Sequence, residues 1–112
     1  MAKAPIVVKT ATIQAGQSLS DSLDCTATTA VFLVMPANWM PAEISFQLSQ
    51  DNVNFADVFD MDGAEVKRQI VAGTAIPIAG WASGAAYIKV RSGTRANPKP
   101  QPQTVTLTLA SQ

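Results

Sequence analysis

The chain has 112 residues, 47% of them apolar and 14% charged. That is enough apolar material for one domain with its own core and argues against disorder, while the sparse charge suggests a surface meant to be covered by neighbours. Eight basic residues balance eight acidic ones, which speaks against a nucleic-acid partner, whose phosphates call for concentrated positive charge. There is no histidine, so Ser-His-Asp and Cys-His catalysis and nearly all zinc chemistry lack a necessary part.

Cys25 is alone, which excludes an internal disulfide and leaves the thiol without a histidine to activate it. No stretch is long enough to cross a bilayer as a helix, and the N-terminal MAKAPIVVKTA lacks the apolar run of a signal peptide. The expectation is therefore no membrane partner.

In chain order, Pro5 disfavours an early helix and Ile6, Val7 and Val8 favour an extended segment. Residues 1–13 read as an arm or edge strand, and 14–112 as a single β-sandwich domain. Ala15-Gly16-Gln17-Ser18 is a turn; in SLSDSLD, Leu19 and Leu23 four apart suit a helical turn or a short strand, and the context favours the strand. The run Val31–Met35 is apolar on both faces, with Phe32 and Val34 opposite Val31, Leu33 and Met35. Such a strand is covered on both sides or has its outer face buried against another molecule.

Pro36 ends that strand and Pro41 opens the next. From Pro41 to Val66 lies the clearest patterning. Ile44, Phe46 and Leu48 alternate with Ser45, Gln47 and Ser49, the period of a half-buried strand. A polar turn at Asp51–Asn54, a second apolar run and Asp62-Gly63 complete a meander.

Glu65–Ile70 continues as a polar edge strand, and residues 72–82 as short extended pieces broken by Gly73, Pro77 and Gly80. Two more strands alternate cleanly, AAYIKVR and TVTLTLA. Between them RANPKPQPQ places Pro98, Pro100 and Pro102 at alternate positions, which favours an exposed polyproline II loop outside any sheet. Seven to nine short strands with no sustained helical period predict an all-β, antiparallel, jelly-roll-like sandwich.

The acidic run from Asp57 to Glu65 fails as an EF-hand loop. With its glycine at Gly63, such a loop needs an acid at Val58 and a glutamate at Gln69. Calcium held in another loop geometry is the alternative, but these acids read rather as turn formers and surface charge, and no metal or cofactor is expected. Trp39 and Trp81 lie beside prolines or glycines; they can stack on sugar rings, plug the ends of the core, or anchor a protein contact.

The succession GQSLSDSLD, a strand ending VMP, NW, AEISFQLSQDNVNFADVFDMDGAEV and YIKVRSGT before a threonine-rich last strand resembles small virion structural proteins of tailed bacteriophages. More distantly, it is similar to jelly-roll sandwiches of the discoidin or galactose-binding type. The first resemblance implies a capsid decoration (cement) protein on the outer surface of the virion, made in the host cytoplasm. Such a protein would be a homo-oligomer on the particle, contacting the major capsid protein or other virion proteins, and would not be an enzyme. The alternatives are a neck or tail component, or a carbohydrate- or receptor-binding module. No sugar-binding residue of the second group has a counterpart here. The expected contact elements are Ile6, Val7 and Val8, Phe32 and Val34, Trp39 and Trp81, and the loop carrying Arg95, Pro98, Lys99, Pro100 and Pro102.

Overall fold

The computed structural model describes residues 5–78 and 80–112; residues 1–4 of the expected N-terminal arm lie outside the described residues. Among the described residues nine strands follow one another: β1 (Val7–Ile13), β2 (Leu23–Asp24), β3 (Ala30–Val34), β4 (Ile44–Ser49), β5 (Ala56–Asp57), β6 (Lys67–Arg68), β7 (Ala75–Pro77), β8 (Tyr87–Ser92) and β9 (Val105–Ser111). A 3-10 turn, Trp81–Gly84, precedes β8. The first sheet has the order β1-β9-β3-β7 and the second β2-β8-β4-β5, with β6 also pairing β4. Every pairing is antiparallel.

The pairings are nested. β1 meets β9, β2 meets β8, β3 meets β7, and β4 meets β5 and β6. The chain is thus one long hairpin, doubled back at the tip after β4 and then rolled so that β9 also meets β3 and β8 meets β4. That is a jelly roll, the sandwich expected from the patterning. The tip falls inside the Pro41–Val66 stretch. There the Asp51 carboxylate accepts hydrogen bonds from the amides of Val53 and Asn54, and Asn52 takes φ 61°. An aspartate that caps its own turn and an asparagine in the left-handed region suit a tight reversal.

The core lies between the sheets. Ala11, Ile13, Leu33, Leu107 and Leu109 from the first sheet face Ile44, Phe46, Ile88 and Val90 from the second, all essentially solvent-free. Trp39 joins them at 4% exposure, with its indole N–H donating to the Ala42 carbonyl at 3.3 Å. Its place among the expected contact residues is therefore corrected. A large ring beside two prolines closes one end of the core, where it buries more apolar area than any surface position offers.

A second correction concerns the proline loop. It is exposed at Pro98, Lys99, Pro100 and Pro102 but not free of the sheets. Lys99 N–H donates to the Ser92 carbonyl, and Gly93 bridges Pro98. The Gln101 side chain is 1% exposed, accepting from Met40 N–H at 3.0 Å and donating to the Met40 carbonyl and the Ser92 hydroxyl. A buried glutamine that satisfies both halves of its amide within the fold fixes the loop as firmly as a strand pairing does.

Candidate functional site

The outer face of the first sheet follows from its register. On β3, Leu33 is buried between Leu109 and Ile76, so Phe32 and Val34 turn outward, at 45% and 40% exposure. They stand beside Ala110 and Thr108 of β9 and Pro77 and Ala75 of β7. Across β9, Ala110, Thr108 and Thr106 pair with Val8, Thr10 and Thr12 of β1. All these outward positions are valine, phenylalanine, alanine, proline or threonine; none carries a charge. Lys9, the one charged residue of β1, lies on the inward register opposite Leu109 and donates its ammonium to the Asp24 carbonyl.

The rim of this face is apolar too. Ile6 and Val7 are 46% and 36% exposed, Val8 is 62% exposed, and a cleft of about 220 Å³ opens beside them between Ile6, Val31, Phe32, Ala110 and Gln112. Exposed apolar side chains gathered on a flat, uncharged sheet are a feature of contact surfaces, whereas scattered ones are ordinary. Five of the expected residues (Ile6, Val7, Val8, Phe32 and Val34) are brought together here. The proline loop lies elsewhere, against Glu43, Ser92 and Gln17 at the start of the chain's other connections.

The outer face of the second sheet is built differently. Arg91 alternates with Ile88 and Val90 and would read as solvent-facing, yet its side chain is 8% exposed. Nη1 lies 2.7 Å from Asp57 Oδ1 and Nη2 3.0 Å from Glu65 Oε2, while Nε donates to Ser45 Oγ at 2.9 Å. Arg95 completes the group. Its Nε is 3.2 Å from Asp57 Oδ2 and its amide donates to Glu65 Oε2 at 2.9 Å.

Two guanidinium groups and two carboxylates therefore tie the hairpin 57–65 and the loop after β8 onto β4. The expectation that the acids of this stretch are turn formers and surface charge holds for Asp51 and Asp60, and is corrected for Asp57 and Glu65. Burial pushes the Asp57 carboxyl up, but hydrogen bonds from Arg91 and Gln47 and the charges of Arg91 and Arg95 outweigh it, leaving it below its ordinary value. Arg95 spends part of its charge inside the molecule, so the partner contact expected of it is reduced to an exposed edge. No local signal marks this network, because its members come from four separate stretches.

Among the described residues no group of three metal-ligating side chains is assembled, and no helix is long and apolar enough to cross a membrane. Cys25 is 5% exposed and burial raises its pKa, which keeps the thiol protonated and unreactive. Trp81, unlike Trp39, is only half-buried. Its ring packs on Phe46 with centroids 4.7 Å apart and forms part of a cleft of about 580 Å³ on the open side of the sandwich.

No protein-family model matches the chain, and none of the curated proteins matches it. Among solved structures, the Yersinia pseudotuberculosis-derived mitogen aligns with 96% of this chain and 85% of its own, with a TM-score of 0.45 and 12% sequence identity. So low a likeness says nothing about what this chain binds.

Proposed function

We propose that the protein is a non-enzymatic structural component of a virion, which binds the capsid surface and bridges neighbouring capsid subunits. The observation that carries this reading is the uncharged outer face of the β1-β9-β3-β7 sheet, with Val8, Phe32 and Val34 exposed on it. Burying such a face costs no charge desolvation and gains roughly 25 cal/mol per Å² of apolar area, so it suits a lasting contact. A small domain that touches several subunits at once stabilises the assembled shell over its parts, because its binding energy is available only in the assembly. The sequence resemblance to virion proteins of tailed phages supports the same role on the head, with a neck or tail position as the variant of it.

The test is co-sedimentation with shells assembled without the protein. The wild-type chain is expected to pellet with them and to raise their resistance to heat. A Phe32→Lys, Val34→Lys double variant with an unchanged circular dichroism spectrum is expected to stay in the supernatant. Wild-type protein that stays in the supernatant, or shells equally stable with and without it, would sink the proposal.

A further inference from the structure

The cleft holding Trp81 lies between the hairpin 58–66, β6 and the 3-10 turn. Its walls are Phe59, Asp60, Met61, Val66, Lys67 and Arg68, and its volume of about 580 Å³ falls within the roughly 300–1,000 Å³ typical of small-ligand sites. Trp81 is held from behind by Phe46, at an interplanar angle of 48°. Phe59, 45% exposed, lines the same cleft, with the Arg95 guanidinium 5.9 Å from its ring. Two aromatic rings thus line an opening that no described residue fills.

The polar groups around these rings differ in how much bonding capacity they have left. Glu65 commits Oε2 to Arg91 and to the Arg95 amide, so its charge is neutralised within the molecule. Asp60 uses Oδ1 for the amides of Asp62 and Ala64, which closes the turn and holds the carboxylate in place while Oδ2 stays open. Arg68 has no carboxylate partner among the described residues, and its one hydrogen bond is to the Lys67 carbonyl beside it. Lys67 makes only a long 3.7 Å pair with Glu43 and is half exposed. The cleft thus offers an aromatic platform, a rigid acceptor and two cationic donors with capacity to spare.

We propose that this cleft is a saccharide-binding site that takes an uncharged pyranose unit of a glycan. The ring's C–H face would lie on Trp81, where apolar contact needs no fixed direction. Its hydroxyls, each both donor and acceptor, would be met by Asp60 on one side and by Arg68 and Lys67 on the other. With Lys67 paired to Glu43 and Asp60 set against Arg68, the cleft carries no surplus charge to favour an anion, and a purely apolar ligand would leave Asp60 and Arg68 desolvated without partners, which costs more than the contact gains. A neutral polyol is the class that satisfies both signs at once. The site shares no residue with the uncharged sheet face and does not depend on the capsid reading.

Intrinsic fluorescence reads the proposal directly, because Trp39 is buried and only Trp81 borders the cleft. The intact protein would be titrated with neutral oligosaccharides of glucose, galactose, mannose and N-acetylglucosamine, and with glucuronate and an acidic peptide as controls. At least one neutral glycan should give a saturable change. Arg68→Ala should weaken it about tenfold or more at unchanged melting temperature, since the side chain supports nothing in the fold. Trp81→Phe should abolish the signal, with binding then followed by calorimetry. Lack of response to every neutral glycan, an affinity untouched by Arg68→Ala, or preference for glucuronate or the acidic peptide would each overturn it.

Discussion

At the scale of single residues, burial and partner number decide which substitutions matter. Arg91 is the most exacting position. Arg91→Ala removes the largely buried cation that pairs with both Asp57 and Glu65 and leaves them only the exposed Arg95, and breaking a buried pair in this way costs about 3–5 kcal/mol. Chemical denaturation should show the loss as a lowered midpoint with little change in slope. Gly93 is the second such position. It takes φ 92°, and a Cβ there would sit 2.6 Å from both the Asn97 carbonyl and the Lys99 amide, so Gly93→Ala must strain the backbone and push the proline loop away from Ser92. A clear drop in melting temperature is expected, together with faster proteolysis between Arg95 and Gln103.

Proton linkage belongs to the same scale. The folded chain holds the Asp57 carboxyl below its ordinary value, so in acid the unfolded state binds more protons and stability falls with pH. The contribution is complete above the ordinary aspartate pKa of about 3.9 and is lost as pH drops through the lower folded value. Asp51, held low by the amides of Asn54 and Val53, adds to the same acid limb. Unfolding midpoints measured from pH 6 down to pH 2 should therefore decline for the wild type. They should decline less steeply for Asp57→Asn, which starts from a lower stability. An identical slope in both would show that Asp57 does not carry the effect.

At the scale of elements, β3 joins fold to function. Leu33 is fully buried while its neighbours Phe32 and Val34 are nearly half exposed. Leu33→Ala should cost about 2–5 kcal/mol, whereas Phe32→Ala and Val34→Ala should cost far less. A large loss at Phe32 or Val34 in the isolated chain would mean the face is already covered. The doubly apolar pattern of this strand was legible in the sequence, because period-2 alternation carries apolar residues on both phases. Its cause was not, since cover by a second layer and cover by a partner leave the same pattern. The proline loop is a parallel case. Alternate prolines announced an extended, non-sheet segment, but nothing in RANPKPQPQ distinguished Gln101, whose role depends on Met40 and Ser92 lying opposite it.

At the scale of the whole molecule, the nested pairings set both folding speed and robustness. The tip around Asp51–Asn54 and the hairpin 58–66 are local, but β1 must find β9 across nearly the full chain. Loop closure has to precede most of the favourable contacts, so refolding in the millisecond-to-second range of other all-β sandwiches is expected. Stopped-flow tryptophan fluorescence would follow it through Trp39, which leaves water on folding.

The sequence by itself determined the all-β class, the sandwich, and the central place of Pro41–Val66, since alternation and turn residues are properties of contiguous stretches. Only the tertiary structure decided which residues each face presents. It turned Trp39 inward and Trp81 toward a cleft, sank Arg91 between two acids that the sequence reads as surface charge, and set the neutral positions of four strands side by side. The physical reason is the same in each instance. A strand's pattern records how often its side chains alternate, whereas burial, pairing and exposure depend on what the rolled hairpin brings opposite them.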